Sequence, residues 1–132
     1  MTVVVAAHTP TPEGEAALEH AVGEAQLRAA RLVVVSRGPR LHEQDHAGTD
    51  VAALERRLQD AGIEFAVHRP TGDYDYAEEV LEATRDNAAV LVVIGIRHRT
   101  PVGKLLMASA AQRVLLDAPC PVTAVKVPGA VG

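Results

Sequence analysis

The chain has one cysteine, Cys120, no tryptophan, and only Phe65, Tyr74 and Tyr76 as aromatic residues among 132. A lone cysteine rules out an intrachain disulfide and suits a reducing compartment. So few rings cannot supply the successive stacking platforms that single-stranded nucleic acid requires. Positive charge is also short. Thirteen Lys and Arg against 17 Asp and Glu leave a formal charge of −4, the wrong sign for gripping a phosphate backbone. No apolar run reaches the roughly 18 residues of a membrane span. The first residues lack the basic start, apolar stretch and cleavage site of a secretory signal. These absences predict a cytoplasmic protein that binds neither nucleic acid nor membrane.

What is present is an alternation. Short β-rich runs at Val3–Ala7, Leu32–Ser36, Ile63–His68, Val90–Ile94 and Val122–Val127 are separated by segments of helical periodicity. The helices are expected at about Glu13–Ala30, Thr49–Ala61, Tyr74–Asn87 and Ser109–Asp117. Leu18, Ala21, Val22, Ala25 and Ala29 share one face of the first helix. Val51, Leu54, Leu58 and Ala61 share a face of the second, and Ala77, Val80, Leu81 and Thr84 a face of the third. Gly62 suits a left-handed helix stop, and Asp73 the cap of the third helix. The whole of 1–132 reads as a single α/β domain, with about 128–132 as a frayed tail.

Five strands joined by four helices predict an open, doubly wound, five-stranded parallel sheet with helices on both faces. Composition orders the strands. The first, second and fourth are continuously apolar, as strands covered on both sides must be. The third alternates, and the fifth carries Thr123 and Lys126, so these two belong at the edges. The order 3-2-1-4-5 follows. It places the topological switch point between the ends of the first and fourth strands, at Ala7-His8 and Ile94-Gly95.

The segment Gly95–Ala111 starts at that point. A strand ends on a glycine, Arg97, Arg99 and Lys104 follow, and a helix begins near Ser109. The first N–H groups of a helix lack intrahelical partners and sit at the positive end of its dipole, where phosphate oxygens are favoured. Ser109 can cap the helix or donate its hydroxyl to an anion. The Gly-Lys-Ser/Thr spacing of a Walker loop is absent.

The same segment resembles the universal stress protein family, whose pattern is Gly-x2-Gly-x9-Gly-Ser/Thr between the fourth strand and fourth helix. Gly95, Arg97, Lys104-Leu-Leu, Ser109, Val114 and Ala118-Pro-Cys-Pro carry the match, and the resemblance spans essentially the whole chain. It implies a cytoplasmic homodimer active in stress physiology, often paired through the fifth strands (here 122–127), with ATP or AMP bound in some members, with or without Mg. On the family pattern Ala6, Ala7 and His8, with Val35, would line the adenine side. Ile94, Gly95, Arg97, His98, Lys104, Ala108, Ser109, Ala110 and Ala111 would surround ribose and phosphates.

Three positions depart from the pattern. His98 and Ala108 stand where glycines are expected, and His8 where the family has an acidic residue. Two readings therefore stay open: a regulatory module that holds an adenine nucleotide, and a nucleotide-free dimeric interaction protein. No nucleophile–base–orienter set is evident, so no enzyme is expected; slow ATP hydrolysis or autophosphorylation at Ser109 is a third reading. His42 and His46 fall short of the three or four converging ligands a metal needs, so no metal is expected. Cys120, between two prolines, reads as an inert thiol.

Overall fold

Valine and isoleucine are stiff at χ1 and pack well on a pleated surface, so the β-branched runs become strands. A computed structural model describes residues 1–39, 50–97 and 108–127. In chain order the elements are β1 (Val3–His8), α1 (Pro12–Arg28), β2 (Arg31–Ser36), α2 (Val51–Asp60), β3 (Phe65–His68), α3 (Tyr76–Asp86), β4 (Leu91–Ile96), α4 (Ser109–Asp117) and β5 (Val122–Lys126). All pairings are parallel and the sheet order is β3-β2-β1-β4-β5, as the composition of the strands predicts.

Because side chains alternate across a strand, the sheet divides the core in two. Val3, Val5 and Ala7 of β1 pack with Val80 and Leu81 of α3 and Val114 of α4. Val4 and Ala6 point to the other side, against Leu18 and Ala21 of α1 and Leu54 and Leu58 of α2. Every residue of β1 is buried, whereas β3 and β5 have none in that class, which is the signature of a central strand and two edges.

Several boundaries differ from the sequence-based expectation. α1 stops at Arg28, and Ala29 is not on its buried face. Ala29 is exposed and left-handed, with φ of 52°, and its N–H bonds back to the Ala25 and Gln26 carbonyls. Ala30 closes the same motif on the Ala25 carbonyl at 2.8 Å and is itself buried. A helix stop of this kind normally announces itself by glycine; alanine here costs roughly 1 kcal/mol and hides the signal. α3 starts at Tyr76, capped by Asp75 rather than Asp73; the Asp75 carboxylate accepts from the Glu78 N–H at 3.3 Å. β3 begins at Phe65, two residues after the expected start. β4 continues to Ile96, because Gly95 and Ile96 still pair with Val125 and Lys126 of β5. Gly62 is left-handed as expected, with φ of +72°.

Candidate functional site

The carboxyl ends of β1 and β4 lie side by side, and a cleft opens where their chains part to opposite faces. Its floor is Ala7, Ile94 and Gly95. One wall is the entry to α1, with Thr9, Thr11 and Glu13, and the other is the first turn of α4, Ala108 to Ala111. Arg37, Tyr76, Arg97 and Val114 complete the lining that can be described. Of the residues expected here, Ala7, Ile94, Gly95, Arg97, Ala108, Ser109, Ala110 and Ala111 come together. His98 and Lys104 lie outside the described residues.

Three expected residues are not on the cleft wall. Ala6 and Val35 are wholly buried on opposite sides of the sheet, in the two halves of the core. His8 is also wholly buried, and its ring turns toward α1 and α2. Nε2 lies 3.0 Å from Glu15 Oε1, and Nδ1 lies 2.9 Å from Ser36 Oγ. Arg57 of α2 holds the other Glu15 oxygen at 3.0 Å, and Arg69 Nη2 donates to Ser36 Oγ at 3.2 Å. The polarity is consistent along the chain of bonds. A carboxylate opposite Nε2 calls for a proton there, and the Ser36 hydroxyl, which accepts from Arg69, faces Nδ1. Burial pushes the Glu15 carboxyl up, but the hydrogen bonds and charges of His8 and Arg57 outweigh it, holding the group below its ordinary value.

Ser36, His8 and Glu15 thus have the mutual contacts of a nucleophile, a base and an orienter. Sequence spacing could not reveal this, since the residues are 28 and 7 positions apart. Yet Ser36 and His8 have no exposed surface, so no substrate can reach them. The set ties β1, β2, α1 and α2 together.

The backbone at His8 does serve the cleft. Its carbonyl accepts from the Arg37 N–H at 2.9 Å and from the Tyr76 hydroxyl at 2.8 Å. Tyr76 also reaches the Val35 carbonyl at 2.8 Å, so its buried hydroxyl spans the ends of β1 and β2. Burial raises the Tyr76 phenol far above its ordinary range, so it stays a neutral donor. Arg37 is itself buried, with 8% of its surface exposed, and brings a fixed positive charge to the cleft.

Gly95 has a role the sequence pattern does not suggest. A Cβ placed on it would overlap the carbonyl of Glu13, well inside van der Waals contact. Its lack of a side chain lets the first turn of α1 sit directly on β4. Gly14 does the same against Thr9. Ser109 is not the cap of α4; it is the first helical residue, and Ala108 occupies the cap position. Ala108 has φ of −60°, so alanine in place of glycine carries no left-handed strain there. Among the described residues no side chain caps this helix, and its first turn holds no acidic residue. The N–H groups of Ser109, Ala110 and Ala111 therefore form an electropositive wall. Arg113 clamps α4 to α3, reaching Asp75 and Glu78 at 2.6 Å each.

Thr9, Thr11, Glu13, Arg37 and Tyr76 also line the cleft, though the sequence does not single them out as site residues. Their sequence signals are faint: a Pro-rich turn after β1, one basic residue after β2, and an aromatic beside a helix cap. Cys120 is partly buried beside the core, and burial pushes its thiol up, against any role as a nucleophile. His42 and His46 lie outside the described residues, and among the described residues no three His, Cys, Asp or Glu side chains converge for a metal. No helix among the described residues is long and apolar enough to cross a membrane.

Known proteins place this arrangement. The model of the universal stress protein family matches residues 1–126. A universal stress protein of Mycolicibacterium smegmatis is 43% identical over 127 residues, covering 94% of this chain and 97% of that one. The structure of a universal stress protein from Archaeoglobus fulgidus superposes with a TM-score of 0.69 at 28% identity, covering 96% of this chain and 98% of that one. The fold is shared as well with an Archaeoglobus fulgidus universal stress protein in complex with dAMP (TM-score 0.63, 23% identity, 96% and 98% covered). It is also shared with a universal stress protein in complex with cAMP (TM-score 0.67, 18% identity, 96% and 97% covered). Matched over nearly its whole length by both the family model and a 43% identical relative, this chain belongs to the universal stress protein family.

Proposed function

We propose that this chain binds an adenine nucleotide, ATP or AMP, in the cleft between the ends of β1 and β4. On this reading it works in the cytoplasm as a non-enzymatic regulatory module whose state follows occupancy. The observation that carries it is the uncapped, acid-free first turn of α4 facing a cleft that also receives Arg37 and Arg97. Helix N–H groups and two guanidinium groups favour phosphate, and Ala7, Ile94 and Val114 offer apolar surface to a base. Relatives of the same fold hold dAMP and cAMP, which supports an adenine nucleotide over other anions. With ATP, magnesium would be held mainly by phosphate oxygens and water, a common arrangement for that ion. The expectation of no catalysis rests on the inaccessibility of Ser36 and on the absence of a carboxylate near Ser109 in the first turn of α4. Calorimetric titration of nucleotide-stripped protein should show 1:1 binding of AMP or ATP at micromolar to millimolar concentration. Absence of heat and of competition at several millimolar nucleotide would refute the proposal.

A second reading, a dimeric interaction protein, draws on the edge of the sheet. β5 pairs only with β4 among the described strands, and α4, which leads into it, leaves Leu116 81% exposed. An unpaired edge beside apolar side chains favours pairing with a second copy through 122–126. Light scattering should give twice the chain mass, and Ala124→Pro, which removes an N–H on the side of β5 turned away from β4, should give the monomer. A monomeric mass for the unaltered protein at 100 μM or so would end this reading.

A further inference from the structure

We propose that Glu13 is the sugar-recognising residue of the cleft, its carboxylate accepting hydrogen bonds from the vicinal 2′- and 3′-hydroxyls of a bound ribonucleotide. This role rests on the nucleotide reading above and deepens it. It makes the cleft selective for ribose over deoxyribose.

The two helix ends that face the cleft are not equivalent. Among the described residues the first turn of α4 has neither a side-chain cap nor an acidic residue. The end of α1 is already answered. Thr11 caps it, accepting from the Gly14 N–H at 3.0 Å, and Glu13 and Glu15 sit in its first turn. An anionic group is therefore drawn to α4, and the hydrogen-bond donors of the same ligand to α1. A nucleotide has this polarity, with phosphate at one end of the ribose and a donor pair on its opposite edge.

Of the two acidic groups in the first turn of α1, only Glu13 can meet a ligand. Glu15 commits one oxygen to His8 and the other to Arg57. His8, in the position where the family pattern has an acid, is sealed away with Ser36 and Glu15. Glu13 faces the cleft with 18% of its side chain exposed, and Arg97 Nε lies 3.5 Å from one of its oxygens. A carboxylate has about four lone-pair sites, so this contact leaves room for two hydroxyls. Its position is fixed by the backbone, since the Glu13 carbonyl is seated against Gly95. A carboxylate fixed at this end of a parallel sheet is suited to a ribose diol, as in dinucleotide-binding folds. The neighbouring guanidinium favours this role over holding a cation, because it supplies the compensating charge already.

The test compares AMP, 2′-deoxy-AMP and 3′-deoxy-AMP by calorimetry on the full chain, with Glu13→Gln and Glu13→Ala alongside. The unaltered protein should bind AMP tenfold or more tighter than either deoxy analogue, since a hydrogen bond to a charged group is worth at least that ratio. In both variants the ratio should fall to within about twofold of one, because AMP loses two hydroxyl contacts and each deoxy analogue only the one it still has. Thermal melting confirms that the variants are folded, and the seat on Gly95 involves only the backbone and Cβ of Glu13, which both variants keep. Equal binding of AMP and its deoxy analogues by the unaltered protein would overturn the assignment of Glu13 and leave the nucleotide site standing. Binding of none of the three would overturn both. A requirement for magnesium that vanishes in Glu13→Ala would show a cation ligand instead, and also overturn it.

Discussion

Gly95→Ala is expected to destabilise the protein by about 2–3 kcal/mol, the upper part of the range for overpacking a close contact. For a domain of this size that lowers the melting temperature by roughly 8–12 °C. The added methyl would overlap the carbonyl oxygen and carbon of Glu13, and backbone cannot rotate out of the way as a flexible side chain can. Either α1 lifts off β4 or the end of β4 bends away from β5, with which Gly95 pairs at Val125. Gly23→Ala is the control. It lies within α1, and a Cβ there meets nothing within 4 Å. That substitution should raise stability by about 0.5–1 kcal/mol through helix propensity alone. Chemical denaturation of the three proteins reads both effects. A Gly95→Ala protein as stable as the original would mean that the seating of α1 on β4 is wrong.

Ser109→Asp is expected to separate binding from stability. An acid in the first turn complements the dipole of α4, which has none there now, so stability should hold or rise by about 0.3–1 kcal/mol. The same carboxylate would stand where phosphate is drawn, repelling it and competing for the N–H groups. Nucleotide affinity should fall by one to two orders of magnitude, about 1.4–2.8 kcal/mol. Ordinary damage to the fold would move both quantities down together. The result that would contradict the account is unchanged affinity in a well-folded Ser109→Asp protein, because it would remove phosphate from the end of α4.

Much of this architecture is legible in the sequence. Polarity alone separates central from edge strands: Val4 and Val5, Val34 and Val35, and Val92 and Val93 leave no room for solvent on either side, while Glu64, His68 and Lys126 require it. From that order comes the switch point, and with it the place of the cleft. The start of α4 at Ser109 is legible too, from the break between a basic loop and a periodic segment.

The rest is hidden for physical reasons. Ala29 and Ala88 take positive φ without the glycine that usually marks it. Asp73 and Asp75 are equally good caps in sequence, and only packing of Tyr76 beneath the ends of β1 and β2 selects the second. The direction of His8 departs furthest from expectation. A family pattern places an acid at that position beside the ligand, but alternation along β1 sends His8 to the same side as Val4 and Ala6, where Ser36 and Glu15 take up its two ring nitrogens. Glu13 is hidden for the converse reason. Nothing in a first-turn glutamate distinguishes a helix-dipole partner from a ligand, and the difference lies in Gly95, distant in sequence, which lets α1 come close enough.

The most direct test of the account is to follow backbone amide resonances as AMP is added to nucleotide-stripped protein. The predicted result is a saturable shift confined to the cleft: Gly95 and Arg97, Ser109 to Ala111, Glu13 and Arg37, with α2 and β3 silent. Shifts centred on β5 or on the outer face of α2, or no shift at several millimolar AMP, would contradict it.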